Sequence, residues 1–297
     1  MNGFLLVDKP QGLTSHDVVA CLRRMTGEKK VGHTGTLDPL ATGLLVLCFG
    51  AATKALPYLA EDTKTYRVEA ELGTSTDTQD RTGRVVAAHP DCAVTHRALR
   101  EALAGFLGHG TQIPPVYSAV QVGGERLYRL ARAGRPIIPP PRPIRIDAIE
   151  LDWPGEAERP VLRYGDRIGF TITGSRGLYV RTVCHDLGER LGCGAHLVEL
   201  RRLASGPFRL AEAIPLADLT REKVEERLLP IRRGLGHLPA LVLDAEALAR
   251  VRHGNSIPAG EPIPAATVLA LDGRGEAVAI LARRGELWQP VRVFQGD

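Results

Sequence analysis

The 297-residue sequence contains no run of about 18 apolar residues, the length that a membrane-spanning helix requires, so no such helix is expected. Its first residues, MNGFLLVDKPQGLTSHD, lack the basic flank and small-residue cleavage site of a secretory signal, which predicts a cytoplasmic protein. Cysteine is sparse: Cys21, Cys48, Cys92, Cys184 and Cys193 are odd in number, scattered, and form no CxxC pair. That pattern argues against a disulfide framework and against a zinc site, leaving reduced and mostly buried thiols. Lysine is scarce too. Only Lys9, Lys29, Lys30, Lys54, Lys64 and Lys223 stand among 38 basic residues, so 32 are arginine. The planar guanidinium fork suits phosphates and stacks on bases, yet a GC-rich genome or a heat-adapted host gives the same excess. A net charge of +4 decides little by itself.

What is present is ordinary globular material, 44% hydrophobic and 24% charged, long enough for one large core and a small companion domain. GFLLVDKP reads as a strand ended by proline. TSHDVVACLRRMTG reads as a helix capped by Thr14 or Ser15, with Gly27 past its end. GLLVLCFG and the alternating KTYRVEAELG are strands, and TSTDTQDRTG between KTYRVEAELG and RVVAAHP is a polar loop. THRALREALAGFLG carries apolar residues at helical spacing. The stretch from about residue 111 to 143 places an Arg-bearing helix between Pro/Gly-rich segments, a surface insertion. GLYVRTVCHDLGERLGCGAHLVELRRLASG is expected to start extended and become helical, and FRLAEAIPL to be the last core strand. From about residue 237 one short helix is followed by short strands split by turns, a small β-rich domain. The expected fold is α+β, with a mostly antiparallel central sheet flanked by helices; residues 1–236 form the core and 237–297 the small domain.

One carboxylate stands out. In KVGHTGTLDPLATGLLVLCFG, Asp38 sits between a Gly/Thr-rich turn and an apolar run. On local pattern, Asp followed by Pro is a helix start, with the carboxylate as N-cap and Pro39 at the first helical position. A phosphate-loop reading fails, because neither G-x-x-x-x-G-K-[ST] nor G-x-G-x-x-G occurs and the loop is itself negative.

The segments LLVDKPQGLTSHDVV, VGHTGTLDPLATGLLVLCFGAATK, KTYRVEAELGTSTDTQD, QIPPVYSAVQVGGERLYRLARAG and GLYVRTVCHDLGERLGCGAHLVELRRL together resemble the TruB family of tRNA pseudouridine synthases, in family order over residues 5–203. The resemblance implies a cytoplasmic, monomeric enzyme that isomerises the uridine at position 55 in the T-arm of tRNA. No cofactor, metal, membrane or protein partner is implied. Asp38 becomes the nucleophile, which is open to attack on C1′, addition to C6, or deprotonation of the sugar. A carboxylate in a water-excluding pocket calls for a cation to hold it ionised, and Arg181 is the candidate. Read as strand residues at i and i+2, Tyr179 and Arg181 would share one pocket wall.

By the same resemblance Tyr66 stacks on the target base, Leu200, which by pattern alone reads as plain helix packing, contacts uracil, and His33 contacts the displaced RNA loop. Lys9 and Pro10 shape the pocket floor. Arg126, Arg129 and Arg132 in the insertion reach the RNA backbone, although Gln121 stands where a lysine is usual. The last 60 or so residues resemble an RNA-binding PUA module. Two rival functions share these features: a guide-RNA-dependent pseudouridine synthase, and a chaperone that opens and refolds the T-arm. The chain starts its first strand at residue 3 or 4, which favours a stand-alone enzyme.

Overall fold

The computed structural model describes residues 1–59, 63–118, 120–152, 161–260 and 263–294, and leaves the side chain of Arg132 outside that description. Two compact units emerge, one of residues 1–62 and 204–297, the other of residues 63–203.

The first unit starts with β1 (Gly3–Lys9), α1 (Ser15–Thr26), β2 (Val31–His33) and β3 (Thr42–Phe49). The continuous apolar run of β3 is buried at every position after Thr42 and pairs antiparallel with β1 from Phe49 opposite Gly3 to Gly43 opposite Lys9. The two ends of α1 obey local chemistry. Thr14 Oγ1 accepts from the Asp17 N–H at 3.0 Å, and the Thr14 N–H donates to Asp17 Oδ2 at 2.8 Å. Gly27 closes the helix in the left-handed region at φ 74°.

In the second unit come β4 (Lys64–Leu72), the hairpin of β5 (Thr74–Thr76) and β6 (Val85–Ala88), β7 (Ala93–Thr95), α2 (His96–Ala104) and β8 (Gly108–Gln112). Then follow β9 (Gln121–Val122), β10 (Glu125–Arg126), α3 (Leu127–Arg132), β11 (Arg142–Asp152), β12 (Val161–Arg163), β13 (Arg167–Gly174), α4 (Val180–Leu191) and β14 (Ala195–Ser205). Its main strands run in the order β14-β4-β13-β11-β8. The pairs β4–β13, β13–β11 and β11–β8 are antiparallel. Period-two alternation in β4 turns Tyr66, Val68, Ala70 and Leu72 to the buried face.

The chain re-enters the first unit through β15 (Phe208–Arg209) and β16 (Ile214–Pro215), then α5 (Arg221–Glu226), β17 (Ala240–Val242), α6 (Ala245–Arg252), β18 (Ile257–Pro258), β19 (Thr267–Leu271), β20 (Ala277–Arg284) and β21 (Leu287–Val293). The single strand expected over FRLAEAIPL is broken: a 3-10 turn at Leu210–Glu212 separates β15 from β16, closed by the Arg209 N–H donating to Glu212 Oε2 at 3.2 Å. The C-terminal sheet, β17-β19-β20-β21-β18, surrounds its own cluster of Val251, Leu281 and Trp288. Its other face adds Leu269, Ile280 and Phe294 to the cluster around Phe4 and Phe208.

Candidate active site

Asp38 sits in a loop fixed from both sides. Leu37, immediately before it, is buried; its N–H donates to Ser15 Oγ at 2.8 Å, and Ser15 Oγ donates back to the Leu37 carbonyl at 3.2 Å. The Pro39 carbonyl, immediately after, accepts from the Gly12 N–H at 2.8 Å, and a turn closes from the Ala41 N–H to the Asp38 carbonyl at 3.0 Å. No helix follows, so the N-cap reading of Asp38 is wrong. Thr42 onward is committed to the ladder with β1, and Pro39 opens a turn instead.

Lys9 supports this loop at one remove. Its side chain is wholly buried, and Nζ donates to the carbonyls of Pro10 at 2.9 Å and Leu13 at 2.6 Å. Those bonds hold the turn that presents Gly12 and Ser15 to the Asp38 loop. Pro10 itself is exposed, and His33 is half-buried at the end of β2, opposite Leu47.

Tyr66, Tyr179, Arg181 and Leu200 all belong to the second unit. The extended stretch expected for Tyr179 and Arg181 is not there: Tyr179 is the N-cap of α4 and Arg181 lies in the helix's first turn. They still meet, with Arg181 Cζ 5.9 Å from the Tyr179 ring centroid. The buried guanidinium donates through Nη2 to the Tyr117 carbonyl at 2.8 Å, and Nη1 lies 3.8 Å from Asp80 Oδ2. Leu200 is half-buried on strand β14, not on a helix. The run after Gly192 is claimed by the sheet. Tyr66 is buried in β4, opposite Ile172.

Three residues that sequence reading passed over build the surroundings of Arg181 within the second unit. The polar loop after β5 is stitched to β14 by Leu197 N–H to the Gln79 carbonyl at 3.0 Å and Arg81 N–H to the Leu197 carbonyl at 2.8 Å. Asp80, 5% exposed, accepts on Oδ1 from Thr78 Oγ1 and the Thr82 N–H, each at 2.9 Å, leaving Oδ2 toward Arg181. Gln79 holds a positive φ of 64° and accepts from Thr182 Oγ1 at 2.7 Å, which ties the loop to α4. Gln112, at the end of β8, holds the backbone of Tyr179 from the other side. The crowding of Thr and Asp in TSTDTQDRTG was a signal for a side-chain-closed turn; nothing local singled out Gln112.

The insertion is anchored by Val120, Leu127 and Leu130, with Val122 and Tyr179 packed against them. Arg126 and Arg129 are exposed, as is Gln121. Hydrogen bonds from Arg129 and Arg126 hold the Tyr128 phenol below its usual range. Away from these groups the five cysteines are free thiols, and burial pushes Cys48 and Cys193 up to about 12.

A family model described as TruB family pseudouridylate synthase, N-terminal domain, matches residues 23–180, and one described as tRNA pseudouridylate synthase B C-terminal domain matches residues 181–249. The chain is 46% identical over 302 residues to the tRNA pseudouridine synthase B of Geobacter sulfurreducens, covering 97% of this chain and 95% of that protein. It is 42% identical over 301 residues to that of Dehalococcoides mccartyi, with 99% and 97% covered. A solved structure of an H/ACA RNP bound to a substrate RNA containing 2'-deoxyuridine superposes with a TM-score of 0.72 at 24% identity, covering 99% of this chain and 85% of that one, a likeness of fold.

Proposed function

This chain belongs to the TruB family of pseudouridylate synthases, and we propose that it acts on the T-arm uridine at tRNA position 55 with Asp38 as nucleophile. It is a tRNA pseudouridine synthase. The reaction breaks the bond from N1 to C1′, turns the base and rejoins it through C5, so nothing is added or lost and no cofactor is called for. The observation that carries the role of Asp38 is its loop: both neighbouring residues are hydrogen-bonded to the turn before α1 and to its first residue, Ser15, which holds a reactive group at a set position before substrate arrives.

In this reading Arg181 keeps Asp38 ionised, Tyr179 borders the ribose, Tyr66 stacks on the base and Leu200 contacts uracil. His33 meets the displaced loop of the RNA, while Lys9 and Pro10 form the pocket floor. Taking the uridine out of the folded arm costs a few kcal/mol, supplied by phosphate contacts from Arg126, Arg129 and Arg132 and by residues 237–297 acting as a PUA-like RNA-binding domain. The enzyme works as a monomer in the cytoplasm without a protein partner.

Purified protein incubated with one unmodified tRNA transcript, followed by position-resolved pseudouridine mapping, tests this. Modification confined to the T-arm uridine is expected. Modification elsewhere, or only with an added guide RNA, overturns it.

A further inference from the structure

The Ser118 hydroxyl is enclosed, the residue being 3% exposed, and it meets no hydrogen-bond partner among the described residues. Its backbone is held. The Ser118 carbonyl accepts from the Tyr128 N–H at 3.0 Å, and two residues on, the Val120 carbonyl accepts from the Leu127 N–H at 2.8 Å. The residue before it, Tyr117, gives its carbonyl to Arg181 Nη2. Ser118 thus joins the carbonyl that supports Arg181 to the start of α3, beside the exposed Arg126 and Arg129.

A hydroxyl in that position is costly in the free protein, since an enclosed donor without an acceptor loses its water and gains nothing. Alanine would fill the same space without the loss. We propose that Ser118 is a substrate-binding residue whose hydroxyl donates a hydrogen bond to an oxygen of the bound RNA, a phosphodiester oxygen or a uracil carbonyl. This rests on the RNA-isomerase reading above. The bond missing from the free protein is completed in the complex, so the hydroxyl acts only once substrate is seated.

The test compares wild type with Ser118→Ala on a tRNA transcript, measuring kcat/KM, tRNA Kd and the melting temperature of the RNA-free protein. Expected are a loss of about tenfold in kcat/KM, the effect of one hydrogen bond of about 1.4 kcal/mol, and a melting temperature that does not fall. Stem-loops with single phosphorothioate linkages around the target separate the two acceptors: a penalty that vanishes at one linkage assigns a phosphate, and one that persists at all assigns the base. Wild-type kcat/KM and Kd in Ser118→Ala overturn the proposal. So does a lowered melting temperature without RNA, which would reveal a partner inside the protein. If wild type binds tRNA but forms no pseudouridine, the functional reading fails, and the Kd comparison still decides Ser118.

Discussion

The side-chain amide of Gln112 grips the backbone of Tyr179 with two hydrogen bonds: Oε1 accepts from the Tyr179 N–H at 2.8 Å, and Nε2 donates to the Tyr179 carbonyl at 3.1 Å. The donor and acceptor roles allow only one amide orientation. This pair fixes the residue at which the chain enters α4, and with it the direction of Arg181 two residues later. Gln112→Leu keeps the volume and removes both bonds. It is expected to cost about 1–3 kcal/mol of stability and, if Arg181 holds Asp38 ionised as proposed, to lower kcat by roughly an order of magnitude. Thermal melting and steady-state kinetics check both, and unchanged kcat would show that Tyr179 is held by packing alone.

Asp38→Asn should abolish pseudouridine formation while tRNA affinity stays within a few-fold, because the amide is isosteric and removes only the nucleophilic charge. Mapping gives the first quantity and filter binding the second. Turnover near wild type would remove Asp38 from its role.

Arg181→Lys retains the charge but not the fork that spans the Tyr117 carbonyl and the Asp80 carboxylate. Most activity should be lost. Asp80 would also be left as a buried carboxylate with a poorer partner, so the melting temperature should drop, in line with the roughly 3–5 kcal/mol of a broken buried pair. Full activity with an unchanged melting temperature would contradict the arrangement.

Arg126→Ala and Arg129→Ala remove exposed cations and leave Leu127 and Leu130 in their core. Each should weaken tRNA binding and flatten the dependence of log K on log salt by about 0.7–0.9. Titrations at several salt concentrations measure the slope; an unaltered slope means that no phosphate is touched.

Burial holds the Asp186 carboxyl above its ordinary range, with His185 and Arg190 opposing the shift. A raised folded-state pKa means that the folded protein binds this proton more tightly than the unfolded chain. The ionised side chain therefore lowers stability at pH above the folded value, and the penalty vanishes below the unfolded one. Asp186→Asn should raise the melting temperature near pH 7 and leave it unchanged near pH 3. Equal gains at both would assign the effect to packing.

Sequence alone determined the elements whose signals are local. Thr14, Asp17 and Gly27 mark both ends of α1 within the reach of a few residues, the apolar run after Thr42 reads as a buried strand, and GHTGTLDPLATG marked Asp38 by resemblance. Tertiary structure decided what local signals leave open. Asp38–Pro39 and the stretch at Tyr179 each satisfy two local conformations, and the choice fell to partners elsewhere in the chain: β1 for the run after Asp38, Gln112 and α4 for Tyr179. The leucine at 200 is as good in a helix as in a strand until β14 joins the sheet. Gln112 lies 67 positions from the residue it holds, and Gln79, beside Asp80, lies 103 positions from the Thr182 that it ties to its loop. Such pairs carry no periodicity, because what joins them is the closing of the fold around buried polar groups that must find each other once water is gone.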